Sequence, residues 1–310
     1  MSSAKNPGNH MSKYGQLQIG RTKVDVSNLD KVFYPKTGFT KGQIIEYYIK
    51  VAPVLLPHLK NRPITLKRYP DGVDGFFFYE RKCPSHRPAW VKTARAARME
   101  GGAIDYCVMN DLASLVWAAN LADLELHTFL HRAPKMEQPT AIAFDLDPGA
   151  PADIIDCCKV GLELKKTLEK NTLKSFPKTS GSKGLQIFVP LNTPGTYEKT
   201  KAFAHGLAEQ LEKNLPDLVV SKMQKALRRG KVLVDWSQND RHKTTVCAYS
   251  LRAKEHPAVS TPVTWKEVEG AVKAGSASHL VFEADDILSR VKKHGDLFAP
   301  VLSLKQKLPC

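Results

Sequence analysis

The sequence lacks several features that would assign it to a common class of protein. No stretch approaches the ~20 consecutive apolar residues that a membrane-spanning helix needs. The first fifteen residues contain no apolar core, so they do not resemble a secretory signal. The six cysteines include no CxxC pair, and Cys83 with His86 would supply only two ligands of a zinc site. These absences predict a cytoplasmic protein with reduced thiols and no membrane partner.

Acidic residues are few relative to basic ones. The 310 residues include 46 Lys and Arg against 31 Asp and Glu, which gives a formal net charge of +15. A cationic surface of this size favours a polyanionic partner such as nucleic acid, nucleotides or anionic lipid, although a merely soluble basic protein is the alternative. The length allows one large domain or two packed lobes with a substantial core.

Helix and strand patterns in the first half predict an N-terminal α/β lobe over residues 15–135, after a flexible tail at 1–14. Thr40 and Gln43 form a capping box before a run of apolar residues at helical spacing. The segments "ITLKR", "GFFFYE" and "AIDYCV" are typical of strands. Asp111 is expected to cap a helix that continues through "LASLVWAANLADLEL".

The second half predicts a C-terminal lobe over residues 136–300, followed by a C-terminal tail at 301–310. Strands are expected at 140–147, 173–178 and 185–190, and helices at about 153–170 and 197–214. "KVLVDW" and "TTVCAYSLR" are further predicted strands. This β-α-β-β-α-β-like order indicates a ferredoxin- or RRM-like sheet with its helices on one face, and therefore an α+β fold.

The stretch "AIAFDLDPG" ends an apolar strand with two carboxylates, Asp145 and Asp147. Residues two apart on a strand point to the same face, so these side chains repel each other. They are either ordinary turn residues or ligands of a divalent cation such as Mg²⁺ or Mn²⁺, which prefers hard oxygen ligands. Asp235 ends another apolar strand and is the candidate third ligand, with a cap or turn role as its alternative.

A short loop, Ser180 to Gly184, joins two predicted strands and carries two glycines and Lys183. Such a loop can present backbone N–H groups and a cation to phosphates. It is not a Walker A motif, because the GxxxxGK[ST] pattern is absent, and a plain hairpin turn is the alternative. Together with the three aspartates and the net charge, the loop favours a nucleotidyl-transfer site.

The motifs "FDLDPG", "SGSKGL", "VDWSQN" and "YSLRA", with "LVWAANLADLELH" upstream, identify a resemblance. They resemble the polymerase domain of bacterial DNA ligase D, a branch of the archaeo-eukaryotic primase superfamily, over about residues 16–298. The resemblance implies a primase-polymerase fold in which the RRM-like catalytic sheet packs with the N-terminal lobe. No ligase or nuclease domain follows, so a stand-alone relative or an excised domain is expected.

The resemblance also implies roles for individual residues around the incoming nucleotide. Asp145, Asp147 and Asp235 match the carboxylates that bind two Mn²⁺ or Mg²⁺ ions. The residues matched to nucleotide contacts are His127, Ser180, Lys183 and Arg252, with Lys243 and Gln186 as weaker candidates. The alternatives are a partly buried helix-end histidine for His127 and a snorkelling edge residue for Arg252. The family commonly has histidine where this chain has Gln186, which can donate a hydrogen bond but carries no charge.

The residues matched to DNA contacts lie mostly in the N-terminal lobe. They are Lys31 and Lys41 for a 5′-phosphate at a gap or break, Lys67 and Arg68 for the template side, Phe78 and Tyr79 for stacking on template bases, and Arg228 for a loop that holds DNA ends or the primer. The alternatives are solvated lysines at a helix start, a core strand for the aromatic run, and a surface charge cluster around Arg228.

The function that this resemblance implies is a template-dependent nucleotidyltransferase. It would extend primers and fill gaps at DNA breaks in non-homologous end joining, with ribonucleotides preferred and with Ku and a DNA ligase as partners. Two alternatives remain open. One is a true primase that starts chains without a primer, and the other is a catalytically silent, RRM-like module that binds DNA ends.

Overall fold

The computed structural model describes residues 14–309, so the predicted tail at 1–14 lies almost wholly outside the described residues. Within this range the strands are β1 (Tyr14–Ile19), β2 (Thr22–Ser27), β3 (Val32–Tyr34), β4 (Phe39–Thr40), β5 (Pro63–Arg68), β6 (Phe78–Glu80), β7 (Lys92–Ala97), β8 (Ala103–Val108), β9 (Asp123–Phe129), β10 (His131–Arg132), β11 (Lys135–Pro139), β12 (Ala141–Pro148), β13 (Phe176–Thr179), β14 (Leu185–Pro190), β15 (Val219–Val220), β16 (Val232–Asp235) and β17 (Thr244–Val246). The helices are α1 (Lys41–Leu59), α2 (Leu112–Asn120), α3 (Ile154–Lys170), α4 (Tyr197–Asn214), α5 (Trp265–Ala274), α6 (Ala284–His294) and α7 (Ala299–Ser303).

The second half of the chain forms a five-stranded sheet in the order β13-β14-β12-β16-β15. Its four antiparallel strands and helices α3 and α4 follow one another as β12, α3, β13, β14, α4 and β16, which confirms the predicted RRM-like arrangement. The short β15 adds a parallel edge strand beside β16. This sheet is called the catalytic sheet below.

Side chains along β12 alternate between the two faces of the catalytic sheet. Ile142, Phe144 and Leu146 belong to a buried cluster that also contains residues of α3, α4 and α5. Ala141 and Ala143 belong to the other large cluster, which is built mainly by the N-terminal lobe. The face that begins with these two alanines continues to Asp145 and Asp147. The aspartates are therefore on the face that the catalytic sheet turns toward the N-terminal lobe.

The N-terminal lobe contains a sheet in the order β17-β9-β5-β8-β7, with β6 paired to β5. The prediction of one long helix after Asp111 is wrong in its second half. Helix α2 ends at Asn120, Ala122 has a positive φ of 65°, and Asp123 begins strand β9. The apolar residues of "LADLEL" fit a buried strand as well as a helix, because short apolar runs do not distinguish the two.

Strand β17 comes from the second half of the chain, but it pairs with β9 of the N-terminal sheet rather than with the catalytic sheet. It is shorter than the predicted "TTVCAYSLR" strand and ends at Val246. The segment that follows it crosses to the catalytic sheet, where Lys178 and Pro262 form an isolated bridge. The chain therefore ties the two sheets together beside the aspartates.

Helix ends follow the predicted capping chemistry. The Thr40 side chain accepts from the N–H of Gln43 while the Gln43 side chain accepts from the N–H of Thr40, which completes the capping box of α1. Asp111 caps α2 through the N–H of Ser114. Within residues 14–309, no helix combines the length and the apolar character required to cross a membrane.

The expectation of reduced thiols is wrong for one pair, because Cys83 and Cys107 form a disulfide with their Cα atoms 4.9 Å apart. Their separation of 24 residues matches no local motif, and only the fold brings the β6–β7 loop against β8.

At the other end of the chain, Gln306 accepts from the N–H of Lys174 and donates to Pro190 O. Gln306 thus holds the C-terminal segment against the end of β14 and the residues before β13.

Candidate active site

Four polar residues form a row across adjacent strands of the catalytic sheet. Asp145 on β12 is directly opposite Gln186 on β14 and Asp235 on β16, and Gln186 is in turn opposite Lys178 on β13. Directly opposed residues in antiparallel strands place their side chains on the same face, close enough to interact. The register therefore brings together two aspartates that are ninety residues apart in sequence, and Asp147 follows on the same face.

The two aspartates of β12 resist ionisation. Burial raises the pKa of Asp145, and the charge of Asp147 raises it further, whereas a side-chain hydrogen bond from Gln186 opposes both effects. The pKa of Asp147 is also raised, first by burial and then by the charge of Asp235, against the lowering effect of Arg228 and Arg252. A bound cation would relieve this repulsion.

The donor chemistry of the row fits a divalent cation, although the side chains do not converge on a single point. Asp145 Oδ1 is buried and has no hydrogen-bond partner in the described part of the chain. Asp235 accepts from the N–H of Ser237 at 2.8 Å and from Gln238 Nε2 at 2.8 Å. Among residues 14–309, no three His, Cys, Asp or Glu side chains are already placed to hold a metal ion. The carboxylates thus supply hard oxygen ligands on neighbouring strands. The Asp235 carboxylate is at present hydrogen-bonded to the turn that follows it.

The loop between β13 and β14 is closed by the hydroxyl of Ser180. This oxygen accepts from the N–H of Ser182 at 3.2 Å and from the N–H of Gly184 at 3.1 Å. Gly181 has a positive φ of 66°, and a Cβ atom there would meet the backbone of Val259 and Ser260. Lys183 is exposed at the tip. The loop therefore presents the exposed Lys183 cation from a turn closed by two hydrogen bonds, an arrangement suited to phosphate binding.

Arg252 connects this loop to the N-terminal sheet. Its Nη1 donates to the carbonyl oxygen of Ser180, and its Nε lies 3.4 Å from Glu125 Oε1. The guanidinium also lowers the pKa of Asp147. Arg252 is therefore not a snorkelling edge residue but lies between the aspartates, the loop and Glu125.

Glu125 on β9 holds a cluster of basic groups that we call the cation cluster: Lys67, His127 and Arg252. Its carboxylate lies 3.0 Å from His127 Nε2 and 3.2 Å from Lys67 Nζ, and it accepts from the N–H of Ala253 at 3.1 Å. Burial would raise the pKa of Glu125, but the hydrogen bond from His127 and the charges of Arg252 and Lys67 lower it well below its ordinary value. One buried anion thus fixes three groups that can face phosphates.

His127 lies on a strand and not at a helix end. Burial lowers its pKa, and the hydrogen bond and charge of Glu125 oppose that shift. Its ring meets the ring of Tyr79 edge to face, with centroids 6.0 Å apart. His127 therefore links the cation cluster to the aromatic strand β6.

The aromatic run is more exposed than a core strand. Tyr79 is 54% exposed, and Phe76 and Phe77, which precede β6, are 72% and 46% exposed. Register pairs Tyr79 with Lys67 and Phe78 with Arg68, and the two cations lie 5.6 Å and 5.2 Å from the respective ring centroids. Exposed rings beside cations form a platform on which bases can stack.

Lys31 and Lys41 lie together at the start of α1. Lys41 is buried, and its pKa is lowered to about 8, first by burial and then by the charges of Lys31 and Arg68. Lys31 Nζ donates to Pro70 O and contacts Asp71 at 2.9 Å. The first N–H groups of α1 already donate to Lys31 O and Leu29 O. A phosphate here would thus be held by side chains, and not by free backbone N–H groups.

Arg228 and Lys243 flank the aspartates. Arg228 ends a short 3₁₀ helix, its Nη2 donates to Met223 O, and its charge lowers the pKa of Asp147. Lys243 Nζ donates to Ser237 Oγ at 2.5 Å, and that hydroxyl donates to Asp235. The structure thus brings both residues toward the carboxylates.

Sequence reasoning missed Glu125 and Lys178. Glu125 is two residues before His127, so a strand over "LELH" would have placed the two side chains on one face. Because a helix was predicted there, this shared face was not recognised. Lys178 precedes the "TSGSKG" loop and is fully buried. Its only sequence signal is a cation inside an apolar strand.

Comparison with known proteins identifies the family. The model of the LigD primase-polymerase domain matches residues 40–298. The chain belongs to this family. It is 39% identical over 281 residues to the multifunctional non-homologous end joining protein LigD of Mycolicibacterium smegmatis, covering 90% of this chain and 36% of that protein. For the bifunctional LigD of Bacillus subtilis the identity is 33% over 274 residues, with 88% and 43% covered.

A solved structure supports the same membership of the LigD primase-polymerase family. The polymerase domain of Mycobacterium tuberculosis ligase D in complex with DNA matches with a TM-score of 0.84 and 37% identity, over 91% of this chain and 98% of that one. The expected primase-polymerase fold is therefore confirmed, and membership of this family implies nucleotidyltransferase activity. The chain spans little more than a third of the length of the full mycobacterial LigD that it matches.

Proposed function

We propose that this chain is a template-directed polymerase that extends a primer 3′-end across gaps at DNA breaks in non-homologous end joining. The observation that carries the proposal is the row of Gln186, Asp145 and Asp235 in register, facing a lobe that presents cations and exposed aromatic rings. DNA with a 5′-phosphate and nucleoside triphosphates, ribonucleotides preferred, are the proposed substrates. Ku and a DNA ligase are the proposed partners, since the related proteins are named for end joining.

Each group has a defined task in this proposal. Two divalent ions, Mn²⁺ or Mg²⁺, held by Asp145, Asp147 and Asp235, would activate the primer 3′-hydroxyl and stabilise charge on the leaving pyrophosphate. Lys183 and Arg252 neutralise the triphosphate while its α-phosphorus is attacked. The aromatic strand stacks on template bases, each worth about 1–3 kcal/mol.

The test is primer extension on a gapped duplex with a 5′-phosphate, in Mn²⁺, with NTPs and dNTPs compared. We expect addition of the template-matched nucleotide, with NTPs used more efficiently. An unprimed single-stranded template with NTPs is run in parallel. Products on the unprimed strand would favour a primase, and an absence of products on both substrates would favour a non-catalytic module that binds DNA ends.

Recognition of the 5′-phosphate is expected to weaken as the pH rises from 7 to 9. The phosphate monoester, with a second pKa of about 6, stays dianionic over this range. Lys41, with its pKa lowered to about 8, loses its proton there. The affinity ratio of phosphorylated to unphosphorylated gaps, measured by fluorescence anisotropy, should therefore fall several-fold in the wild type.

Two variants separate this effect from a general loss of positive charge. Lys41→Arg stays charged throughout and should keep the ratio constant with pH, whereas Lys41→Met should show little phosphate preference at either pH. If Lys41→Met weakens binding to phosphorylated and unphosphorylated gaps equally, the two lysines are part of a general basic patch.

A further inference from the structure

Lys178 is a fully buried lysine at one end of the row of four polar residues, beside Gln186, and no role has been given to it so far. Its ammonium donates to Gln186 Oε1 at 2.5 Å and to Ser260 Oγ at 2.5 Å. Phe188 lies with its ring centroid 5.8 Å from Nζ. Full burial of a lysine is unfavourable unless it is paired. Burying Lys178 therefore does not by itself stabilise the fold.

Lys178 Nζ determines which way the Gln186 amide points. Burial lowers the pKa of Lys178 to about 7, while Cys247 and Asp145 oppose that shift. In its protonated form the side chain has three donors and no acceptor, so only the oxygen of a carboxamide can face it. Ser260 Oγ donates to Thr179 O, which leaves this hydroxyl as an acceptor toward Lys178 as well. With Oε1 held by Lys178, the amide N–H groups of Gln186 are directed away from it, and the register places Asp145 on the other side.

The orientation matters because Gln186 acts on Asp145. Gln186 is directly opposite Asp145 in the register of β14 and β12, so its amide lies beside this carboxylate on the same face of the sheet. Among residues 14–309, Asp145 Oδ1 is buried without a hydrogen-bond partner. An amide turned the other way would present its oxygen to the carboxylate, where two acceptors repel each other.

We propose that Lys178 is a positioning residue that locks the Gln186 amide with its N–H toward Asp145, so that this carboxylate is held ready for a divalent cation. The proposal rests on the proposed function and deepens it. It also gives a physical account of Gln186 at the position where the resemblance implies a histidine. A glutamine can exchange its donor and acceptor ends by rotating its amide, and Lys178 prevents that reversal.

The test is a double-mutant cycle on metal binding without nucleotide or catalysis. Mn²⁺ affinity is measured by titration calorimetry for the wild type, Lys178→Met, Gln186→Leu and the double variant. Groups that orient a metal ligand typically change affinity about 10- to 100-fold. We expect each single variant to bind Mn²⁺ about 10-fold more weakly and the double variant no more weakly than Gln186→Leu, because Lys178 acts through Gln186.

Controls separate folding, charge and the metal site itself. Lys174→Met removes an exposed lysine four residues earlier and should leave Mn²⁺ affinity unchanged. Melting in EDTA reports whether each variant folds. If Lys178→Met does not fold, Lys178→Gln replaces it. The new amide can either donate or accept, so it would not enforce one orientation of the Gln186 amide and should also weaken Mn²⁺ binding.

Each outcome then decides one question. Wild-type affinity in the folded Lys178 variant would overturn the positioning role, as would a double variant whose loss is the product of the two single losses. If the wild type itself binds no Mn²⁺, even with nucleotide present, the proposed metal site fails and not merely the role of Lys178.

Discussion

Replacing Asp145 and Asp147 together by asparagine is expected to reduce primer extension about 1,000-fold or more. The change keeps the shape of both side chains but removes the charges that would hold the cations. The loss of several kcal/mol of transition-state stabilisation corresponds to this factor. Single-turnover extension of a gapped duplex measures it, and binding to the same duplex should persist, because the DNA contacts are placed on other residues.

The same variant tests whether the loss is due to the metal site or to folding. In metal-free buffer, the wild type should lose stability as the pH rises above about 4, because the raised pKa values let the folded state bind more protons than the unfolded state. The double variant lacks this dependence and should melt no lower than the wild type. Mn²⁺ should raise the melting temperature of the wild type only.

A matched control is Asp217→Asn, which removes an exposed carboxylate in the turn before β15. It should leave extension, the response to Mn²⁺ and melting unchanged. Extension by the Asp145 and Asp147 double variant at a rate near that of the wild type would disprove the assignment of these carboxylates to the metal site.

Local patterns in the sequence were sufficient to identify the three candidate carboxylates. The apolar run before Asp145 indicated a buried strand, and the period of two placed Asp145 and Asp147 on one face. The end of the "VLVD" strand offered Asp235, and the β-α-β-β-α-β-like order indicated a sheet that could bring the strands together. What sequence could not give was the register, which is set by long-range packing and which pairs Asp145 with Asp235 and Gln186.

The residues that were missed depend on contacts between distant segments. Glu125 has a role only because β5, β9 and the segment after β17 meet around its carboxylate, and the helix predicted over "LADLEL" concealed its shared face with His127. Lys178 became visible only when the register placed it beside Gln186. Likewise, the disulfide between Cys83 and Cys107 follows from the pairing of loop and strand, not from their spacing.

The two sheets present side chains of opposite charge to the space between them. The catalytic sheet supplies acceptors that repel each other until a cation arrives, and the N-terminal sheet supplies donors held around Glu125. Arg252 lies between them and contacts both Glu125 and the Ser180 loop. The nucleoside triphosphate that we propose as substrate, with its cations, would be complementary to both sets of charges. Its phosphates would meet groups that are already oriented, which avoids the entropy of ordering them on binding.

If Glu125 organises this region, Glu125→Gln should be among the most destabilising single substitutions in the chain. The side chain is buried, and its carboxylate is shared by Lys67, His127 and Arg252. Its lowered pKa means that it is ionised at neutral pH, so its contribution is present there and is lost as the pH falls. Removing one member of a buried charge network costs about 3–5 kcal/mol. For a chain of this size we expect a fall in melting temperature of roughly 5–8 °C.

The matched control is Glu80→Gln on the neighbouring strand β6. Glu80 pairs with Arg68 at 2.8 Å, but its side chain is 24% exposed and Arg68 also donates to Leu121 O. A partly exposed pair of this kind contributes about 1 kcal/mol or less. Urea unfolding at pH 7.5 should therefore separate the two variants by at least about 2 kcal/mol. Equal effects would mean that Glu125 is one ion-pair partner among many, and that the cation cluster is held by the surrounding backbone instead.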